Sequence, residues 1–402
     1  MGSLESLREL NRLRVVDALR QRGSASRAEL ARVTGLSRTT VTTLVADLQS
    51  RGLLVEDDAV ELNGRGRPPT LLRLNASAGA ALGVDFGHQH IRVAVADMSS
   101  TVLAERSIGL DVDADAATAL DAAASMTEEV LAEAGVELGQ LVGAGMGVPG
   151  PLDRRTGTIG STIILPGWTG LNAAEELARR LGLRVEVDND ANLGALAEAS
   201  RGAAQAIPDV VYVKLATGVG AGLVLGGRLH HGATGIAGEL GHIQVQPGGA
   251  VCRCGNRGCL QSVASVPAVL ASLRPEHGDE ITLGGLLDLI EGGDLGARRV
   301  VNDAGRTVGR LLADLCNHLN PGAIVVGGDL SAAGEPLLSG IREAIDRYAL
   351  PNAAEAVEVK AGVLGERAGV LGALALVIGD TDRLRSAGLA ALHEPPLTLS
   401  SS

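Results

Sequence analysis

Three of the chain's four cysteines, Cys252, Cys254 and Cys259, fall within eight consecutive positions. A disulfide scaffold spreads its cysteines along the chain, so a cluster this tight reads as a metal site in a reducing compartment. With His242 it makes three thiolates and one imidazole, a complete four-ligand Zn²⁺ set. No coordination position is left open, so the expected ion is structural, one per chain. Gly255 and Gly258 let the loop wrap around it. The bland alternative is three reduced cysteines in a turn. Cys316 lies in an apolar helical pattern and is expected in the core.

The rest of the chain must supply the folded mass around this staple. At 402 residues it suggests two or three domains. Hydrophobic residues at 46% and charged residues at 20% exclude wholesale disorder. Aromatics at 1% argue against stacking platforms for single-stranded nucleic acid. The net charge of −12 excludes a generic polyanion binder, yet it is unevenly spread. Residues 1–75 carry twelve arginines and nine acids, a net +3, whereas the remainder carries 23 basic and 38 acidic residues, a net −15. A basic head on an acidic body is expected if only the head touches DNA. The first residues show no apolar leader, and no apolar run reaches the roughly 20 residues a spanning helix needs. The expected place is the cytoplasm.

The head has a readable order. Residues 4–22 carry Leu7, Leu10, Leu13, Val16 and Leu19 at helical spacing, and Gly23 stops that helix. Ser26 and Glu29 form a capping-box pattern that opens a second helix, Arg27 to Val33. After the turn Thr34-Gly35-Leu36, Ser37 can cap a third helix running to about Arg51. Its inner face is Val41, Leu44, Val45 and Leu48. Its outer face is Arg38, Thr39, Thr40, Thr42 and Thr43. Two β-like runs follow, Leu53–Glu56 and Thr70–Leu74. Three helices and a hairpin describe a winged helix-turn-helix. In that motif the third helix enters the major groove, so Ser37, Arg38, Thr39, Thr40 and Thr43 are the expected DNA contacts. The alternative is a protein-binding module with a solvated polar face. Arg65 and Arg67, set between glycines in the arm 63–69, suit a narrow minor groove, or else form a plain linker.

From Ala80 short apolar strands alternate with Ala/Leu-rich helices, an α/β texture. Strands are expected at Ala81–Val84, Ile91–Ala96, Val142–Val148, Val185–Val187, Val210–Leu215, Ala221–Leu225 and Ala323–Val326. Helices are expected near 116–134, 172–181, 191–200, 266–272 and 299–319. Similar glycine-rich runs near 83 and 218 hint at two related lobes. The Ser/Pro-rich tail is expected to fray. This divides the chain into a head at 1–75, a two-lobed body at 79–384 and a tail at 385–402.

The run Gly238–His242, followed by the Cys-x-Cys-Gly-x-x-Gly-Cys cluster, resembles the ROK family of repressors, open reading frames and sugar kinases. So do Gly147–Asp153, Leu165–Trp168, Asp188–Asn192, Thr217–Gly222 and Val326–Leu330, which occur in family order across residues 80–376. The resemblance implies an actin-like ATPase (ribonuclease H-like) fold, with two α/β lobes and a sugar cleft between them. The head places the chain with the family's regulators rather than its stand-alone kinases.

A sugar kinase needs a carboxylate to take a proton from the attacking hydroxyl. Asp190 matches that base; it could equally cap the helix that follows it. The resemblance implies sugar contacts from Gly150, Asn189, Asp190, Glu239, His242 and the Gln261 position. It gives His242 a second bond, to zinc through its other nitrogen. It makes Asp85, Gly87, Thr217, Gly218, Gly220 and Gly222 remnants of two phosphate loops. Two departures oppose catalysis. The family's first loop reads Asp-x-Gly-Gly-Thr, but here His88 and Gln89 follow Gly87, adding bulk where backbone approaches phosphate. The glutamate of Cys-x-Glu is Gln261. The reading is therefore a sugar-responsive DNA-binding regulator, a repressor of carbohydrate genes, with Asp190 vestigial as a base. Its expected partners are operator DNA and a sugar effector, and it is expected to form a homodimer or homotetramer away from any membrane. The rival reading is an ATP-dependent sugar kinase that also binds DNA. A third leaves the cleft as scaffold.

Overall fold

The computed structural model describes residues 3–57, 70–153, 156–160 and 164–379. Arg65, Arg67 and the rest of the arm, and the tail from 385, lie outside the described residues.

The head runs α1 (Ser3–Arg22), β1 (Ser24–Ser26), α2 (Arg27–Thr34), α3 (Arg38–Ser50), β2 (Leu54–Asp57) and β3 (Leu71–Leu74). Its punctuation follows from local chemistry. Ser26 and Glu29 cap α2 reciprocally, and Gly35 ends it at φ +68°. Ser37 accepts from the Thr40 N–H at the start of α3. Val16 and Leu19 of α1 are buried together with Val41, Leu44, Val45 and Leu48 of α3. The side chains of Leu7, Leu10 and Leu13 are outside the described set. The wing has three strands rather than two, in the order β1-β3-β2. β1 is three residues long, too short to show alternation in sequence.

The body begins with β4 (Ala80–Phe86), β5 (His90–Asp97), β6 (Val102–Gly109), α4 (Ala116–Ala134) and β7 (Leu141–Val148). A small hairpin, β8 (Leu152–Asp153) with β9 (Thr158–Ile159), precedes α5 (Ala173–Leu181), β10 (Val185–Asn189) and α6 (Asp190–Arg201). The second lobe opens with β11 (Val210–Leu215), β12 (Val219–Leu225) and β13 (Arg228–Leu229). After the cysteine loop come α7 (Gln261–Ala264), α8 (Val266–His277), α9 (Leu283–Glu291) and α10 (Leu295–Leu319). The described chain ends with β14 (Ala323–Gly327), α11 (Glu335–Tyr348), α12 (Pro351–Ala356), β15 (Glu358–Ala361) and α13 (Ala368–Ile378).

The two five-stranded sheets share one plan: β6-β5-β4-β7-β10 in the first and β13-β12-β11-β14-β15 in the second. In each, three strands form an antiparallel meander and the last two add in parallel. The duplication that two glycine-rich runs only hinted at is thus complete at the level of topology. The β4–β5 and β11–β12 turns hold corresponding places in the two sheets.

Each lobe has its own core. In the first, Phe86 and Trp168 meet edge to face at 5.2 Å, and the buried Trp168 Nε1 donates to the Val112 carbonyl at 2.8 Å. In the second, α8 to α11 pack beside β11 and β14. α6 and α13 lie against each other and against the sheets. A side chain on Gly145 of β7 would strike the Ala373 carbonyl, and one on Gly372 would strike the Leu193 carbonyl. Helix and strand backbones therefore touch directly at these points. Glu198 of α6, fully buried, accepts from the Leu364 N–H at 3.0 Å just before α13.

The head is packed onto the first lobe. One buried cluster contains Val15, Val16 and Leu19 of α1 as well as Ala94 and Ala96 of β5 and Val370, Leu374 and Ile378 of α13. Arg20 Nη2 donates to the Ile378 carbonyl at 2.8 Å, and Arg20 Nη1 pairs with Asp17 at 2.9 Å. Burial lowers the pKa of Arg20, and Asp17 opposes that shift.

Because β7 and α13 touch backbone to backbone, Gly145→Val should destabilise the first lobe by about 1–3 kcal/mol or more, through overpacking. Urea unfolding followed by circular dichroism checks this; an unchanged midpoint would contradict the packing described.

Candidate functional site

The exposed face of the head is built by α3. Ser37, Arg38, Thr39, Thr42 and Thr43 are exposed, while Thr40 is half-buried. Ser37 and Thr40 spend their hydroxyls on each other at 2.8 Å and on the cap. Thr43 Oγ1 is turned back to the Thr39 carbonyl. Arg38, exposed at the helix N-terminus, has no side-chain hydrogen bond or ion pair among the described residues, so it and Thr39 lead the exposed face of α3.

The cysteine loop brings its expected ligands together. One ligand atom from each of His242, Cys252, Cys254 and Cys259 lies within 4.8 Å of all the others. Cys252 Sγ is 3.6 Å from His242 Nδ1, and Cys254 Sγ is 3.7 Å from Cys259 Sγ. The loop is held by short bridges, Gln244 to Cys259 and Val251 to Arg257, and turns at Gly255 and Gly258 with φ of +92° and +65°. Cys252 and Cys259 are buried and Cys254 is exposed. Burial and the neighbouring thiols push Cys259 up to about 12. Three thiols and an imidazole crowded this closely fit a cation that would take the protons' place. His242 Nε2 faces the other way, 3.8 Å from Glu239 Oε2. Burial, followed by Arg253, lowers the pKa of His242.

Between the lobes lies a cavity of about 400 Å³. Gly150, Asn189, Asp190, Glu239, His242 and Gln261 all line it, as do Asp85, Gly87, Thr217, Gly218 and Gly220. Gly222 is not among the lining residues; a side chain there would strike the Ala191 carbonyl, so its glycine serves packing on α6. Asn189 is the cap of α6, accepting from the Ala191 N–H at 2.9 Å, and its Nδ2 donates to the Gly150 carbonyl at 3.0 Å. Asp190 is therefore the first residue of the helix and not its cap, which corrects that part of the sequence reading. Glu239, in the cavity wall, is pushed up to about 7 by burial, with Asp190 adding to the shift. Gln261 Oε1 accepts from the Val219 N–H at 3.4 Å and so braces the second glycine turn.

The first turn is obstructed by two histidines. His88 Nδ1 is 2.7 Å from Asp113 Oδ1, which draws that side chain onto the segment before α4. The ring that covers Gly87 belongs to His90: a Cβ on Gly87 would collide with it. His90 Nε2 also stands 3.5 Å from Asp85 Oδ2. The bulk expected here from His88 is supplied over Gly87 by the neighbour two residues on.

Two groups escaped the sequence reading. Lys214 Nζ pairs with Asp190 Oδ2 at 2.7 Å. Burial alone would depress Lys214, but Asp190, and beyond it Asp85, hold its ammonium above the ordinary lysine range. Asp188, buried, joins His231 Nε2 at 2.6 Å and the Asn192 Nδ2 at 2.8 Å, and so steadies the turn into α6. A lysine inside the apolar strand Val210–Leu215 was the available signal for the first. Nothing in local spacing marks the pairing of Asp188 with His231, which lies 43 residues on.

A two-lobed sugar-kinase fold carrying a winged-helix head is the class these features define. The ROK family pattern matches residues 81–380, and the MarR family pattern matches residues 9–61. The chain belongs to the ROK family. It is 29% identical over 395 residues to the xylose repressor of Caldicellulosiruptor bescii, covering 94% of this chain and 98% of that one. It is 34% identical over 303 residues to a glucokinase of Halalkalibacterium halodurans, covering 71% of this chain and 91% of the relative. The crystal structure of a ROK family transcriptional regulator, a homologue of the Escherichia coli Mlc protein, superposes with a TM-score of 0.76 at 28% identity. That match covers 96% of this chain and 98% of the other. The match to the repressor spans head and body alike. Among the described residues no helix is long and apolar enough to cross a membrane.

Proposed function

We propose that the chain is a sugar-responsive DNA-binding transcriptional repressor, acting on operator DNA as a homodimer or homotetramer and without transferring phosphate. The observation that carries this reading is the buried joint between head and cleft. α13 begins in the cleft wall at Ala368 and Gly369 and ends on Arg20 of the DNA-binding head. A stand-alone kinase has no use for that connection. Relatives of matching length are named a xylose repressor and a transcriptional regulator, which supports the same reading.

The sugar would sit among Gly150, Asn189, Asp190, Glu239, His242 and Gln261. Asp190 Oδ1, Glu239 and His242 Nε2 offer convergent polar groups of the kind that orient a hydroxylated ligand. Zinc held by His242 Nδ1 and the thiolates of Cys252, Cys254 and Cys259 would be structural, since all four positions are filled by protein. It would fix the imidazole so that Nε2 points into the cleft. A sugar that binds one lobe closure better than the other shifts the closure equilibrium, and only that difference in affinity can do work on the head. α13 and α6, packed backbone to backbone, would carry the shift to Arg20. The division into head, body and tail follows this plan, with Arg38 and Thr39 leading the DNA contacts and Arg65 and Arg67 reaching the minor groove.

The kinase reading keeps one observation in its favour, the open Thr217–Gly220 turn in the cleft wall. It is opposed by the His90 ring over Gly87, by His88 and by Gln261.

Fluorescence anisotropy on DNA from the chain's own promoter region, titrated with monosaccharides, tests the proposal. Release by one sugar in the absence of ATP is the expected result. Indifference to every sugar, together with phosphate transfer from ATP, would replace it with the kinase reading. Arg20→Met should leave sugar affinity nearly unchanged while altering the sugar's effect on DNA affinity by about fivefold or more, the usual scale of a coupling free energy; an unaltered effect would remove Arg20 from the route. Cys254→Ser should lose zinc by elemental analysis and bind sugar roughly tenfold more weakly, as loss of an orienting ligand does. Full sugar affinity in the metal-free variant would contradict the zinc role.

A further inference from the structure

Enzymes that move a phosphoryl group hold the nucleotide through a divalent cation, which one or two carboxylates share with the phosphate oxygens. This cleft has the carboxylates. Asp85 ends β4 in the first lobe and Asp190 opens α6, and both line the cavity. Both are well covered, with side-chain exposures of 7% and 13%. Two carboxylates withdrawn from water in one cavity need a compensating cation.

The chain supplies that cation itself. Lys214, on β11 of the second lobe, places Nζ 2.7 Å from Asp190 Oδ2, and Asp85 adds to the attraction. The choice of lysine is informative. The chain has 35 basic residues, and only Lys214 and Lys360 are lysines. A guanidinium is a broad planar fork, whereas an ammonium is a compact point charge with three donors. A point charge is what can stand where a metal ion would stand.

We propose that Lys214 is the built-in cation of the cleft, occupying the place beside Asp190 and Asp85 that a nucleotide-bound divalent metal would need. Magnesium does not fit these residues as they stand. Asp190 Oδ2 is engaged, which leaves Oδ1 to accept a sugar hydroxyl, and an ammonium donor is presented to the sugar in place of a metal. Ligand recognition therefore needs neither a nucleotide nor a nucleotide-bound divalent metal. This deepens the sensor reading of the same cleft and rests on it for the class of ligand.

The test uses the full chain purified with zinc, so that the cysteine site is filled. Manganese is titrated, with and without ATP, and free ion is followed by electron paramagnetic resonance. Wild type, Lys214→Met and Lys214→Arg are compared, with circular dichroism as the check of folding and Lys214→Gln in reserve should the methionine variant fail to fold. The neutral variant is expected to gain one manganese site at least tenfold tighter than any shown by wild type, and Lys214→Arg is expected to gain none. Equal manganese binding by wild type and the neutral variant, or tight manganese–ATP binding by wild type, would overturn the proposal. Calorimetry with glucose and xylose runs alongside. Wild type that binds manganese weakly but no sugar would sink the sensor reading, and the manganese comparison between variants would still decide the role of Lys214.

Discussion

The structure depends on a contact in which there is no side chain at all. α13 lies so close to β7 and α6 that Gly145 and Gly372 leave no room for a Cβ. Such packing transmits small displacements because interiors are as dense as organic crystals and yield little. The position of α13 then matters more than its chemistry. Its first turn borders the cleft beside Asp85, and its last carbonyl, that of Ile378, accepts from Arg20 of the head. Arg92 reinforces the near end, pairing with Glu105 of β6 and with Glu366 just ahead of α13 at 3.0 Å each. α6 lies on strands of the second lobe and α13 on those of the first, so a change in the angle between the lobes would bear on α13 and, through it, on the surface where the head rests.

The cysteine loop solves a different problem. The segment between β13 and α7 contains one 3₁₀ turn, Leu240–His242, and bears several exposed apolar residues, among them Ile236, Ile243 and Val251. It has little core of its own, and a four-ligand metal would supply the missing constraint. Its two useful side chains, Glu239 and His242, stand at the cleft edge of that loop. The same imidazole offers one nitrogen to the thiols and the other to the cavity, so a metal staple here would also fix part of the cavity wall.

Much of this was legible in the sequence, for identifiable reasons. The Ser26–Glu29 cap, the Ser37 cap and the inner face of α3 are local, and local chemistry decided them. The cysteine cluster is local too, and His242 joined it because three thiolates lack a fourth ligand. The first helix of the body, α4, and the long α10 showed clear periodicity. α13 did not. Ala368–Ile378 is apolar all round, and a uniformly apolar run carries no stripe by which helix and strand can be told apart. The outer strands β6, β13 and β15 were missed because they are short or largely exposed and lack the apolar runs of the inner strands. At the cleft, bulk over Gly87 was expected from His88, but the ring there is that of His90, which only the reversal of chain between β4 and β5 brings back. Lys214 reads as a solvated charge until Asp190, 24 residues earlier, is seen opposite it.

α13 runs from the cleft wall to the DNA-binding head and joins the two. Hydrogen–deuterium exchange of the zinc-containing full chain, with and without a saturating sugar, addresses it most directly, since exchange reports local opening along the whole route. Amides around Asn189–Asp190, the last turn of α13 and the Leu19–Arg22 end of α1 are expected to change protection together. Protection confined to the cleft, with α13 and α1 unaltered, would contradict it.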